Sequence, residues 1–113
     1  MKRGRDNSIY LEDISREIAN IRGFTKGMAK EDFLKSELVR RAVERNIQII
    51  GEAAKGLSED FRKKNTGIEW RKIIAMRNFI THAYGEVDYE AVWEVVVRDL
   101  PELERKLDAI RQV

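Results

Sequence analysis

The sequence predicts an all-α protein, an up-and-down bundle of four to five helices, and three observations lead there. One proline and seven glycines interrupt 113 residues, too few breakers for a turn-rich sandwich or barrel. Apolar residues recur at intervals of three and four, the period of a helical face. The chain is 42% hydrophobic and 37% charged, where an average soluble protein is about 25% charged. It therefore has enough apolar side chains for a core and enough charge to solvate outer helix faces.

Leu11, Ile14, Ile18 and Ile21 make the first face, with Asn7 or Ser8 as its cap and Gly23 and Gly27 marking its end. A single long helix is predicted over 30–56. On it Val39, Val43, Ile47, Ile50, Ala54 and Leu57 form one row, and Leu38, Ala42, Asn46, Ile49 and Ala53 the adjacent one. Two rows make a wide apolar face and put this helix at the centre. Gly56 or the Leu57-Ser58 step ends it, and Ser58 caps a short helix over 59–64. Asn65-Thr66-Gly67 is a loop, followed by a long helix from Ile68 to Tyr84 that Gly85 stops. Asp88 caps the next helix, with Tyr89, Val92, Trp93 and Val96 on one face. Pro101 either kinks this helix or occupies the first turn of a fifth. Leu103, Leu107 and Ile110 carry the apolar stripe to the end of the chain.

The length suits one domain over 1–113, with 1–6 a flexible basic arm. The absence of Cys excludes disulfides, zinc knuckles and thiol catalysis, and one His makes a His-ligated metal cluster implausible, so no metal site is expected. The basic start has no apolar run behind it, and nowhere do eighteen apolar residues run together, so the expected location is cytoplasmic. Net charge is +2, and Lys2, Arg3 and Arg5 leave 19 basic against 20 acidic groups from residue 6 onward. Any nucleic acid must then meet a local patch rather than a whole-molecule field. Arg40, Arg41 and Arg45 form one such strip, unless they pair at helical spacing as Glu37 can with Arg41.

Polar residues on inward rows are the informative ones. Asn46 sits in the middle of its apolar row. On an ideal wheel Arg77 falls within the arc of Trp70, Ile73, Ile80 and Tyr84, and a buried guanidinium needs acceptors or an anionic ligand. Two readings stay open: Arg77 pairs with Asn46 or Glu52, or it serves a site. His82 lies five residues after Arg77, about 140° around the helix, so one face does not hold both. A loosened last turn or a second subunit would bring them together. Trp70 and Trp93, on apolar faces, read as core. Gly51, inside the central helix, marks either a close crossing or a tolerated glycine at a cost of about 1 kcal/mol. The width of the apolar faces points to a homodimer.

The run Arg77-Asn78-Phe79-Ile80-Thr81-His82-Ala83-Tyr84 resembles the Arg-x4-His-x-Tyr motif of HepT-type toxins of the HEPN superfamily. Tyr10-Leu11-Glu12-Asp13-Ile14, Arg45-Asn46, Ile49-Ile50-Gly51-Glu52-Ala53-Ala54-Lys55, Trp70-Arg71 and Asp99-Leu100-Pro101 extend the resemblance over nearly the whole chain. It implies a dimeric, HEPN-like, metal-independent endoribonuclease toxin without a cofactor. Its partner would be an MntA-type nucleotidyltransferase antitoxin that uses ATP to adenylate the motif tyrosine. Carried over, Arg77 and His82 are catalytic, Asn78 and Asn46 supporting, and Tyr84 the adenylated residue. Ala29 departs from relatives that often place a Ser cap there, which bears on stability. A non-catalytic subunit that binds a nucleotide or a nucleotidyltransferase is the alternative.

Overall fold

The computed structural model describes residues 6–81 and 85–111. They form an all-α bundle; among them no strand occurs, and one isolated antiparallel bridge joins Thr81 to Val87. No helix among the described residues is long and apolar enough to cross a membrane.

Helix α1 spans Asn7–Thr25 and buries Leu11, Ile14, Ile18 and Ile21, the predicted face. Its cap is Asp6, which accepts from the Ser8 amide, so the predicted arm stops short of residue 6. Residues 1–5 lie outside the described residues. Asn7, free of the capping role, instead donates to Ser58 Oγ and accepts from the Ser58 amide at 3.0 Å. That exchange ties the start of α1 to the end of the central helix.

The predicted helix over 30–56 is two helices, α2 at Lys30–Lys35 and α3 at Glu37–Gly56. Ser36 leaves helical geometry (φ −97°, ψ 99°), and its hydroxyl accepts from the Val39 amide. A serine side chain competes for backbone partners and so favours a cap over a helix interior. The break lets α2 turn Phe33 into the core, with its ring 5.2 Å from that of Trp93. At the head of α2, Ala29 offers no side-chain cap, but its amide donates to Asp32 at 2.8 Å.

Helix α3 runs antiparallel to α1, with Asn46 beside Glu17 and Gly56 beneath the Tyr10 ring. Val43, Ile47, Ile50 and Ala54 are fully buried on it, each large side chain worth roughly 1.5–3 kcal/mol over exposure. Leu38 breaks the predicted inward row and is 81% exposed. With Asn46 opposite Glu17, its counterpart is Thr25, the last residue of α1, and the described residues leave it largely uncovered. Ser58 caps α4 (Glu59–Lys64) through the Phe61 amide, as predicted.

The predicted helix over 68–84 is shorter and broken. Helix α5 covers Trp70–Ile74, Ala75 interrupts it at φ −85° and ψ 2°, and α6 covers Met76–Phe79. Gly85 has φ +77° and is the last residue in 3₁₀ geometry before Val87, while residues 82–84 ahead of it lie outside the described residues. Helix α7 (Tyr89–Glu94) is capped by Asp88, which accepts from the Glu90 and Ala91 amides. It runs through a π-helical turn, Val95–Asp99, into α8 (Leu100–Arg111). Pro101 stands in the first turn of α8, where its missing N–H is tolerated. Val92, Val95, Leu100, Leu103 and Leu107 close the core from this side.

Candidate active site

Three contacts hold the α5–α6 segment. Trp70 Nε1 donates to the Asn65 carbonyl at 2.9 Å, and its ring lies 6.1 Å from that of Phe61. Gly51 on α3 lets the backbone of α5 come close: a Cβ there would lie 3.3 Å from the Ile74 carbonyl oxygen. Gly51 therefore marks a close crossing. Met76 and Ile80, both buried, anchor α6 from below.

With those anchors inward, Arg77, Asn78 and Phe79 all face outward. This corrects the wheel, which put Arg77 in the arc of Trp70, Ile73 and Ile80. The wheel assumes an unbroken helix, and the interruption at Ala75 resets its phase. Arg77 does not pair with Asn46, whose amide is committed elsewhere, and no carboxylate among the described residues forms an ion pair with it. A guanidinium keeps its charge at any working pH, so Arg77 presents an unneutralised planar fork suited to phosphate oxygens.

The turn after α6 is held at both ends. Thr81 Oγ1 donates to the Arg77 carbonyl at 2.7 Å, and the Asp88 amide donates to the Ile80 carbonyl at 2.8 Å. Together with the Thr81–Val87 bridge, these bonds fasten the flanks of the motif to α6 and to the cap of α7. His82 and Tyr84, the predicted catalytic and adenylated residues, lie outside the described residues.

Asn46 is buried, and its Nδ2 donates to Glu17 Oε1 at 2.6 Å, while its Oδ1 has no partner among the described residues. Glu17 is itself buried on α1. The periodicity reading missed it, although it lies three residues from Ile14 and four from Ile21, on the inward face. Of the basic strip, Arg41 pairs with Glu37 as its spacing suggested, at 3.1 Å, and Arg45 donates to Gln48. Arg40 is structural: it donates to the Leu34 carbonyl and lies 4.8 Å over the Tyr89 ring. Tyr89 donates its hydroxyl to Glu44 at 2.7 Å. Burial, then that hydrogen bond and the charge of Glu44, push the Tyr89 phenol above its ordinary value. Trp70 is core, and Trp93 packs half-buried on Phe33, as expected.

Comparison with known proteins assigns this arrangement. The family model described as "Ribonuclease HepT-like" matches residues 14–110. The chain is 39% identical to "Putative RNase TTE0752" of Caldanaerobacter subterraneus over 103 residues, covering 91% of this chain and 92% of the relative. It is also 39% identical to "Probable ribonuclease HepT" of Thermococcus cleftensis over 108 residues, covering 96% and 98%. No solved structure matches it. With nearly its full length matched, and with the motif arginine exposed on a short anchored helix, the chain belongs to the HepT-like ribonuclease family.

Proposed function

We propose that this protein is the toxin of a toxin–antitoxin pair and a metal-independent endoribonuclease, with Arg77 and His82 acting on the RNA phosphodiester. The observation that carries the reading is Arg77: a motif cation on the surface, held on α6, with no carboxylate to neutralise it among the described residues. Membership of the HepT-like ribonuclease family and the ribonuclease names of the relatives support it.

RNA carries its own nucleophile. His82 removes the proton of the 2′-hydroxyl, the 2′-oxygen bonds to phosphorus, and the 5′-oxygen leaves with a proton, so that a 2′,3′-cyclic phosphate remains. Arg77 stabilises the charge that grows on the nonbridging oxygens. Asn78 supports it from the next position on α6, and Asn46 acts only indirectly, by joining α3, on which the segment packs, to α1 through Glu17. A homodimer brings two copies of each catalytic residue to one cleft; the 81% exposed Leu38 supports a second copy. The cognate nucleotidyltransferase inhibits the toxin when the Tyr84 phenol displaces pyrophosphate from ATP, placing a bulky anion where the RNA phosphate belongs.

The test is an RNA carrying one 2′-deoxynucleotide at the mapped cut. Cleavage of the all-ribose strand to a cyclic phosphate end, and none at the deoxy position, is the expected result. Cutting at the deoxy position contradicts the mechanism. Tight RNA or nucleotide binding without any cleavage favours the non-catalytic subunit.

A further inference from the structure

A groove of about 210 Å³ opens between α5–α6 and α8, and the proposed chemistry at Arg77 does not use it. Its floor is apolar, built from buried Met76 and Leu103. Phe79, two residues beyond Arg77, forms one wall and leaves 70% of its surface to solvent. Glu69, Asp99 and Glu102 line the groove together with Lys72 and Lys106, and Glu102 is paired at 3.6 Å with both Arg105 and Lys106. Asp99 is half-buried, and no described residue gives its carboxylate a hydrogen bond or an ion pair. It is the last residue of the π-helical turn, an irregularity that costs regular helix bonding and often marks a functional position. The Asp99-Leu100-Pro101 run is thus a part of the sequence pattern that catalysis by Arg77 and His82 leaves unexplained.

We propose that this groove holds one unpaired nucleobase of the RNA next to the scissile phosphate, stacked on Phe79 and read by Asp99. The inference rests on the ribonuclease reading and adds to it a specificity pocket. An exposed aromatic ring over an apolar floor is the platform that splayed-out single-stranded bases use. Three lining carboxylates outnumber two lysines, and Asp99 is left unpaired among the described residues, so the groove suits the base better than the phosphate backbone. A carboxylate accepts from an exocyclic amino group, as on N4 of cytosine, and has nothing to accept from O4 of uracil. The pocket therefore favours an amino-bearing base, while Lys72 at the rim suits the adjoining phosphate.

Binding of 2′-O-methyl oligo-C and oligo-U to the full-length protein tests this without any cleavage, since neither strand carries the nucleophile. Wild type should bind oligo-C about tenfold tighter than oligo-U. Asp99→Ala should abolish that difference. Phe79→Ala should weaken both oligomers about tenfold, and Phe79→Trp should restore them. Phe79 is on the surface, so melting temperatures of its variants should match wild type. Equal binding of the two oligomers by wild type, or unchanged binding by Phe79→Ala, overturns the proposal. So does a Phe79→Ala protein that keeps RNA affinity but turns from dimer to monomer, because the groove would then be a subunit contact. A wild type that prefers oligo-C yet cleaves no RNA supports the base site and removes the ribonuclease reading instead.

Discussion

Glu17 and Asn46 meet at 2.6 Å inside the α1–α3 contact, and neither has another partner there among the described residues. A buried carboxylate is tolerated while something donates to it, and removal of the donor leaves its desolvation uncompensated. Asn46→Leu should therefore destabilise the fold by roughly 2–3 kcal/mol, measured by denaturant unfolding. Glu17→Leu combined with Asn46→Leu should recover most of that loss; a double variant as weak as the single one would show that the pair is not the cause. The sequence exposed one half of this pair. An asparagine within an apolar row stands out, whereas a glutamate on a helix is ordinarily a solvated surface residue. Its partner sits 29 positions away on another helix, and no periodicity links them. Arg77 shows the same limit: residue type and spacing singled it out, but its outward direction depends on a helix break elsewhere.

Helix faces and caps were readable where the chain carries their chemistry. Ser58 and Asp88 cap the helices they were expected to cap, and the row Val43, Ile47, Ile50, Ala54 is buried. The breaks were not. Ala75 is a strong helix former, so nothing local announces an interruption there, and tertiary packing overrides propensity. That packing is the approach of α5 to α3 at Gly51, where an added Cβ meets the Ile74 carbonyl at 3.3 Å. Gly51→Leu should push the two helices apart and cost about 1–3 kcal/mol. Gly23 lies within α1 with nothing inside 4 Å of its Cβ position, so Gly23→Ala should stabilise by about 0.5–1 kcal/mol. Thermal melts of both variants check the pair, and equal losses would mean that the crossing at Gly51 is not tight. The π-helical turn ending at Asp99 lies directly before Pro101, whose missing N–H and ring disturb helical bonding to Val97, so the proline marked the place of this irregularity but not its form.

The two most exposed large apolar side chains among the described residues are Leu38 and Phe79, and the two are proposed to serve different purposes. Leu38 lies in the first turn of α3, level with the end of α1, and in the proposed dimer it is the contact for a second copy. Leu38→Glu should shift the protein from dimer to monomer in light scattering without lowering its helix content by circular dichroism. A wild type that is monomeric at working concentrations contradicts the shared cleft. The charge of the chain, nearly neutral beyond its first residues, gives long-range attraction little part, so on the proposed function RNA recognition rests on local groups. The overall architecture was readable because helical period and scarcity of breakers act everywhere along the chain. The site was readable as a list of residues and not as a surface, because its orientation is set by contacts among α3, α5 and α6.

Cleavage of a labelled single-stranded RNA by wild type, Arg77→Ala and His82→Ala, each matched in melting temperature, asks whether those two side chains do the chemistry. Loss of at least about a hundredfold in rate for each variant, with RNA binding retained by His82→Ala, is the expected result. Either variant cutting at the wild-type rate would place the active centre elsewhere.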